Sequence, residues 1–431
     1  MNYAGPEEET PARNGLELTP FQGLRYDPDR VGSLAAVTSP PYDVIVRPDG
    51  LLELESADPY NIVRLILPQD HSPAARNQQA ADTLRRWRAE GVLTTDTEPG
   101  LYVYEQRDGD LLQRGVIGTL RLSEPADGVV LPHEDVMPHI VADRADLMRA
   151  TSANLEPLLL TYRGDASGCG TAAVVVEKTA TLPPLLATTT EDGISHRLWA
   201  VTDPAGLAEI RADLGRHQAL IADGHHRWAT YLRLRAEHAS PSPWDYGLVL
   251  LVDTARYPLR VRAIHRLLHR LPVAEALAAV GDTFRVRRLD VPLAEALESL
   301  ASAAADGNAF LLAGDGAFHL IDRPSPDLLA RTIPAGHPET WRTLDATVLH
   351  ATLLDHVWGI PEDSPEHIAY IHDTVATVEK AEQDGGTAVL MHPVREEVVR
   401  DLARQGVTMP RKSTSFGPKP ASGLVLRALT S

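Results

Sequence analysis

Apolar residues recur along this chain with two periods, and the places where one period gives way to the other mark out its elements. Ala80, Leu84 and Trp87 share one helical face within residues 79–90, and Gly91 ends the run. LYVYEQ (101–106) and GVIGTLRL (115–122), joined through an Asp-Gly turn, predict a hairpin. A helix over 143–154 and the buried strand PLLLTY (157–162) follow, then a glycine-rich turn at 164–170 and a further apolar strand, AAVVVE (172–177). HRLWAVTD (196–203), a helix over 205–214, the strand ALIA (219–222), a turn at Asp223-Gly224, a helix over 226–238 and the strand GLVLLVD (247–253) complete a run of alternating strands and helices. Such alternation predicts an α/β architecture.

Past Leu271 the pattern restarts. Helices over 273–280 and 293–304 and strands at 284–289, 309–313 and 317–322 predict helices on an antiparallel sheet. HIAYIH (367–372), a helix through Lys380, TAVLMH (387–392) and a helix over 395–406 make a second run. The chain then enters a loop rich in Pro, Gly and Lys and closes on the strand GLVLRAL (423–429). The expected organisation is a disordered tail at 1–18, an N-terminal α/β region at 19–270, a second α/β region at 271–394, and a closing helix, loop and strand at 395–431 that return to the core.

Composition narrows the chemistry. The 431 residues carry 41 Lys+Arg against 59 Asp+Glu, a formal charge of −18. Duplex binding draws on counterion release at a positive surface, so nucleic acid is not the expected partner. Cys169 is the single cysteine, which excludes an internal disulfide and a thiolate zinc site. The start lacks the layout of a signal peptide and the apolar runs are strand-sized, so a cytoplasmic protein without a membrane partner is expected.

The densest constellation is ALIADGHHRWATYLRL, 219–234. A strand delivers Asp223 to its end, Gly224 permits a sharp turn, and His225, His226 and Arg227 open a helix. Helix N-termini bind anions, and an arginine there offers a bidentate phosphate fork. The plainer alternative makes Asp223 a helix cap and the histidines surface residues. His133-Glu134, with Asp143-Arg144 and Asn154 downstream, is a second candidate, in which Glu134 could serve as a base or a Mg²⁺ ligand. Against it, Asp143 could cap the helix, and Asp146 with Arg149 could be a surface pair. Lys412, Ser413, Thr414 and Lys419 form a third, suited to polyanion contacts but without a P-loop frame. His265-Arg266 and Asp43 complete the set, with a surface charge and a turn acid as their plainer readings.

ADGHHRW, together with SPPYDVI, LPHEDVMPH, ADRADLMRATSANLEPLLLTY, IHRLLH and MPRKSTSFGPKPASGL, resembles the family known as domain of unknown function 1015 over about residues 19–429. The Gly-His-His-Arg element alone is similar to the phosphate-binding turn of the ParB and sulfiredoxin superfamily, which includes free-serine kinases and CTP-binding partition proteins. That likeness implies a mixed-sheet core of ParB/sulfiredoxin type with an additional α/β sandwich region. Sulfiredoxin-type proteins place a cysteine inside the motif where His225 and His226 stand here, which sets sulfinic-acid repair aside. The acidic charge likewise argues against a DNA clamp.

The expectation is a nucleotide-dependent phosphotransferase acting on a small hydroxyl-bearing metabolite, with ATP or ADP and Mg²⁺ as cofactors. Asp223, Glu134, His226, His133 and Asp43 are the acid/base candidates. Gly224, His225, Arg227, His265, Arg266, Lys412, Ser413, Thr414, Lys419 and Arg144 are the phosphate-binding candidates, and Glu134 is the metal ligand. A noncatalytic nucleotide-binding switch and a metal-dependent phosphohydrolase using His133, His225 and His226 are the alternatives, and homodimerisation is left open.

Overall fold

The computed structural model describes residues 15–45, 48–165, 170–361 and 364–429. Cys169 and residues 1–14 of the expected tail lie outside the described residues. Of the rest of that tail, Leu16 and Leu18 are buried in a core. The chain is a mixed α/β protein that divides into two compact units: Met1–Leu131, Val136–Pro258 and Pro418–Ser431 in the first, and Pro132–Asp135 with Leu259–Gly417 in the second. The division at 258/259 precedes the boundary expected at 270/271, because His265–Leu268 is an interior strand of the second unit's sheet. The expected closing region is also divided, since residues up to Gly417 belong to the second unit and those from Pro418 to the first.

A nine-stranded mixed sheet organises the first unit. Its order runs Val130–Leu131, Ala219–Asp223, Leu158–Tyr162, Tyr246–Asp253, Leu111–Arg121, Leu101–Asp108, Ser195–Val201, Leu186–Thr189, with Leu18–Thr19 also on Leu111–Arg121. Ala219–Asp223 runs parallel to Val130–Leu131 and antiparallel to Leu158–Tyr162, which itself pairs in parallel with Tyr246–Asp253. These central strands are buried on both faces and accordingly read as unbroken apolar runs. The helix His225–Ala236 turns Trp228, Tyr231 and Leu234 into the same core. Gly247 answers Tyr231: a Cβ there would lie 2.3 Å from its ring.

AAVVVE is not a strand but part of the helix Thr171–Thr179. Ala172, Val175, Val176 and Thr179 are buried at helical spacing while Val174 is exposed, so the buried stripe overrides the β-propensity of three valines. The helix expected to start at 143 is Pro138–Thr151, opening on a proline at its first turn; Asp143 therefore lies within it and does not cap it. Asp146 and Arg149 do form a pair, at 2.5 Å. The closing strand is short, Arg427–Ala428, and pairs with Ala153–Asn154 in a ladder separate from the nine-stranded sheet.

The second unit holds a six-stranded antiparallel sheet in the order Arg285–Leu289, Phe318–Asp322, Ala309–Ala313, Thr387–Met391, His265–Leu268, Ile368–Ile371. The two runs read past Leu271 thus share one sheet. Pro326–Thr332, Glu339–Arg342, Asp345–Thr347 and a wide π-type helix, Val348–Val357, fill a stretch for which the periodicity predicted no element. Arg260–Arg262 pairs antiparallel with Ser415–Gly417 in a separate ladder.

Candidate functional site

Within the first unit, the turn at 223–225 is forced by its residues. Asp223 ends a fully buried strand, and Gly224 takes φ 99°, a left-handed conformation that an L side chain rarely adopts. A Cβ at Gly224 would also lie 2.9 Å from Leu158. The helix begins at His225 with no side-chain cap, so Asp223 is not the cap.

Asp223 is instead the centre of a charge cluster. Arg227 Nη2 donates to Asp223 Oδ2 at 2.7 Å, and Lys419 Nζ lies 2.5 Å from Asp223 Oδ1. The same ammonium pairs with Asp43. Arg227 also donates to the Pro157 carbonyl at 3.1 Å and stands 3.8 Å from Glu156. Arg227 is therefore committed to protein partners, and the expected open phosphate fork is not what the geometry presents. Side-chain exposure rises outward through the cluster: 6% at Arg227, 10% at Asp223, 18% at Lys419 and 33% at Asp43.

Two members escaped the sequence reading. Glu156 Oε1 accepts from the Tyr42 backbone N–H at 3.1 Å and from Ser422 Oγ at 2.8 Å, so one buried carboxylate ties together the turn carrying Asp43 and the loop carrying Lys419. Tyr42 receives Arg144 over its ring at 4.6 Å and Arg227 at 5.7 Å. Arg144 further binds the Ile66 carbonyl and pairs with Asp143 at 2.7 Å. The only sequence signal for Glu156 is an acid set directly before a buried strand, in NLEPLLL.

The electrostatics follow from burial and proximity. Burial alone would raise the Asp223 carboxyl, but Lys419 and Arg227 outweigh it and hold it below the usual carboxylate range. Burial opposes the Lys419 ammonium, yet Asp223 and Asp43 raise it above an ordinary lysine. His225, buried beside His226 and Lys419, is pushed down to about 3 and is neutral at physiological pH. The Tyr42 hydroxyl is raised by burial to about 12. His226 Nε2 accepts from the Met137 backbone N–H at 3.1 Å, joining the two helices that begin at His225 and Pro138.

The other candidates belong to the second unit. His133 Nε2 meets Thr414 Oγ1 at 3.1 Å, Glu134 Oε1 accepts from the Lys412 backbone N–H at 3.2 Å, and Ser413 Oγ bonds the Pro410 carbonyl. The two segments 133–134 and 409–414, remote in sequence, are thus joined through the His133 and Glu134 side chains, and the Met409 backbone N–H donates to the His133 carbonyl at 2.8 Å. Lys412 takes φ 56°, left-handed for a non-glycine residue. Arg266 is neither a surface charge nor an open anion ligand: it is 0% exposed, with its Nη2 2.9 Å from His350 Nε2 and donating to the Lys412 carbonyl at 3.1 Å, and with Tyr370 beneath it at 4.7 Å. His265 contacts Thr374 at 2.9 Å and accepts from the Met391 N–H, and burial lowers it to about 4.

The expected Mg²⁺ does not fit a protein-built site here. Asp43 and Asp223 converge, but on the ammonium of Lys419, and Glu134 is engaged by backbone. Among the described residues no group of three or more His, Cys, Asp or Glu side chains is arranged to hold a metal ion.

Among solved structures, the chain is similar to a free serine kinase in complex with AMP, at 15% identity and TM-score 0.36 over 70% of this chain and 87% of that one. A mutant free serine kinase in complex with ADP gives 14% identity and TM-score 0.36 over the same shares. SbnI with a C-terminal truncation, from Staphylococcus aureus, gives 9% and 0.35 over 72% and 86%. No curated protein matches the chain. The family model described as "Protein of unknown function (DUF1015)" matches residues 18–347, more than three quarters of the sequence that carries the Asp223 turn, and the chain belongs to that family.

Proposed function

We propose that the protein is a nucleotide-dependent phosphotransferase acting on a small hydroxyl-bearing metabolite, with its chemistry at the Asp223 turn of the first unit. The observation that carries this reading is the graded charge cluster at a helix N-terminus, in which the ammonium of Lys419 is held between Asp223 and the more exposed Asp43. Phosphoryl transfer depends on positioning and on neutralising charge spread over phosphate oxygens. A helix N-terminus and a lysine supply positive potential without covalent chemistry. Buried charge clusters cost folding free energy, and their concentration at one turn is a mark of a working site.

The different engagement of the two carboxylates supports different roles for them in this reading. Both oxygens of Asp223 are engaged, one by Arg227 and one by Lys419, so it anchors cations and is a poor proton acceptor. Asp43 is a third exposed and is the carboxylate that an incoming hydroxyl can reach. In this reading Asp43 orients the hydroxyl and takes its proton, and the hydroxyl oxygen bonds to the donor's terminal phosphorus as the bond from that phosphorus to the nucleotide's leaving oxygen breaks. Lys419 and the helix amides neutralise the phosphoryl oxygens during transfer, and Arg144 beside Tyr42 completes the positive rim. His225 is neutral and offers hydrogen bonds without adding charge. ATP or ADP is the phosphoryl donor, and Mg²⁺ brought with it would supply charge neutralisation without drawing on this chain's carboxylates.

One observation favours a second reading. Arg227 and Lys419 already have carboxylate partners, which suits a noncatalytic nucleotide-binding switch that exchanges those partners for phosphate. Turnover separates the two. Incubation with ATP or ADP and a panel of amino-acid, sugar and polyol acceptors should release nucleotide product only with one acceptor class, and Asp43→Asn should slow it by on the order of 10²-fold. Nucleotide-induced thermal stabilisation without turnover on any acceptor would leave the switch. Absence of both would remove nucleotide chemistry from this turn.

A further inference from the structure

The chain meets its need for positive charge almost entirely with arginine. Of its 41 basic residues, four are lysines: Lys178, Lys380, Lys412 and Lys419. Lys178 and Lys380 are exposed on helices, and Lys412 is exposed on its loop. Among the described residues, Lys419 is the lysine paired with carboxylates of its own unit, and there an arginine would serve differently. A guanidinium is a planar fork matched to one carboxylate, whereas an ammonium is a compact point charge that two carboxylates can share. Lys419 is shared in that way, with Nζ 2.5 Å from Asp223 Oδ1 and paired with Asp43.

Its loop is fixed from several sides, so the placement is built and not incidental. Gln113 Nε2 donates to the Pro418 carbonyl at 3.0 Å, the Ala421 N–H to Tyr104 Oη at 3.2 Å, and Ser422 Oγ to Glu156 at 2.8 Å. Ser422 also exchanges backbone hydrogen bonds with Ser39, at the start of the turn that holds Asp43. Prolines at 418 and 420 restrict the backbone on each side of the lysine.

We propose that the Lys419 ammonium is the resident cation of this site, occupying the place between Asp43 and Asp223 that a divalent ion would otherwise take. Mg²⁺ takes oxygen ligands at about 2.0–2.1 Å and needs carboxylates not already neutralised. An ion on the same oxygens would meet the ammonium at contact distance, and like charges this close repel strongly. The native site therefore excludes divalent ions from its carboxylates, and an anion that binds there engages Lys419 itself. This refines the proposed function by naming the cation, and its test requires no nucleotide.

The test is Mn²⁺ binding to the full chain at low ionic strength, followed by electron paramagnetic resonance of the free ion. The parent and Lys419→Arg should show only weak, nonstoichiometric binding. Lys419→Met, which keeps the length of the side chain without its charge, should gain one site at least ten-fold tighter, and Lys419→Met with Asp43→Asn should lose it. A parent that binds one Mn²⁺ as tightly as Lys419→Met would overturn the proposal, as would a folded Lys419→Met with no gain. Should Lys419→Met fail to fold, a brief acetic-anhydride pulse on the parent and on Asp43→Asn, read by peptide mass spectrometry, decides the matter. Lys419 should acylate at least ten-fold more slowly than Lys178 and Lys380 in the parent and several-fold faster in Asp43→Asn. Equal rates for Lys419 in the two proteins would refute the shared seat.

Discussion

The Asp223 turn of the first unit and the segment around Glu134 and Lys412 in the second are both candidate sites from sequence, yet they are built by opposite means. At the turn, side-chain charge meets side-chain charge: Arg227 and Lys419 converge on Asp223, with Asp43 and Glu156 beyond. Around Glu134, the carboxylate takes a backbone N–H, and the Lys412 carbonyl takes Arg266. The first arrangement concentrates opposed charges where one removal unbalances the rest. The second uses polar side chains as staples between chain segments, where a lost contact is a lost hydrogen bond. Residue type alone therefore does not tell a cluster of opposed side-chain charges from a set of polar staples.

The largest expected effect tests that contrast directly. Asp223→Asn leaves Arg227 and Lys419 without their shared anion and should cost about 3–5 kcal/mol, the scale for breaking a buried ion pair. Glu134→Gln keeps an oxygen acceptor for the Lys412 N–H and should cost less than about 1.5 kcal/mol. Urea unfolding followed by circular dichroism measures both, and equal losses would erase the distinction.

Acid should act on the same difference. His225 has its folded pKa depressed to about 3, so below the ordinary histidine value of about 6.5 the unfolded chain binds a proton that the folded chain does not. Stability therefore rises with pH between about 3 and 6.5, by at most about 1.4 kcal/mol per pH unit for each such histidine. His265, lowered to about 4, contributes likewise in the second unit. His225→Gln should flatten the pH 4–6.5 dependence of melting without changing behaviour above pH 7; an unchanged slope would show that His225 titrates normally.

Much of this was written in the sequence, and the failures have physical causes. The strand, Gly turn and helix over 219–236 were legible because an apolar run, a glycine and an amphipathic helix all agree there. Thr171–Thr179 reads as a strand because three adjacent valines favour one, whereas its helical spacing shows only in which positions are buried. Residues 326–357 gave no prediction because their helices are short or wide-turned and lack a sustained 3.6-residue period. Of the proposed site, Asp223, Asp43, Arg227, Arg144 and Lys419 were legible as candidates in the sequence. Glu156 and Tyr42 were not, since their importance comes from contacts with residues more than a hundred positions away. Arg266 was misplaced because a charge in a short strand reads as exposed until the strand is known to be interior.

The smallest effect concerns the staple region alone. Lys412→Gly relieves a left-handed backbone at a residue whose side chain is exposed, and should leave stability unchanged or raise it by up to about 1 kcal/mol in a thermal melt. A loss above that size would mean that the Lys412 side chain, and not only its backbone, holds the segment.

The discontinuity of the first unit also bears on how the chain is made. Asp223 leaves the ribosome about 200 residues before Lys419. At roughly 5–20 residues per second, translation leaves a delay of about 10–40 s in which the nine-stranded sheet can form while Asp223 has Arg227 but no ammonium. During that interval Leu259–Gly417 of the second unit is synthesised. Lys419, the cation of the charge cluster, is thus added to the nascent chain only after every strand of the nine-stranded sheet has been synthesised.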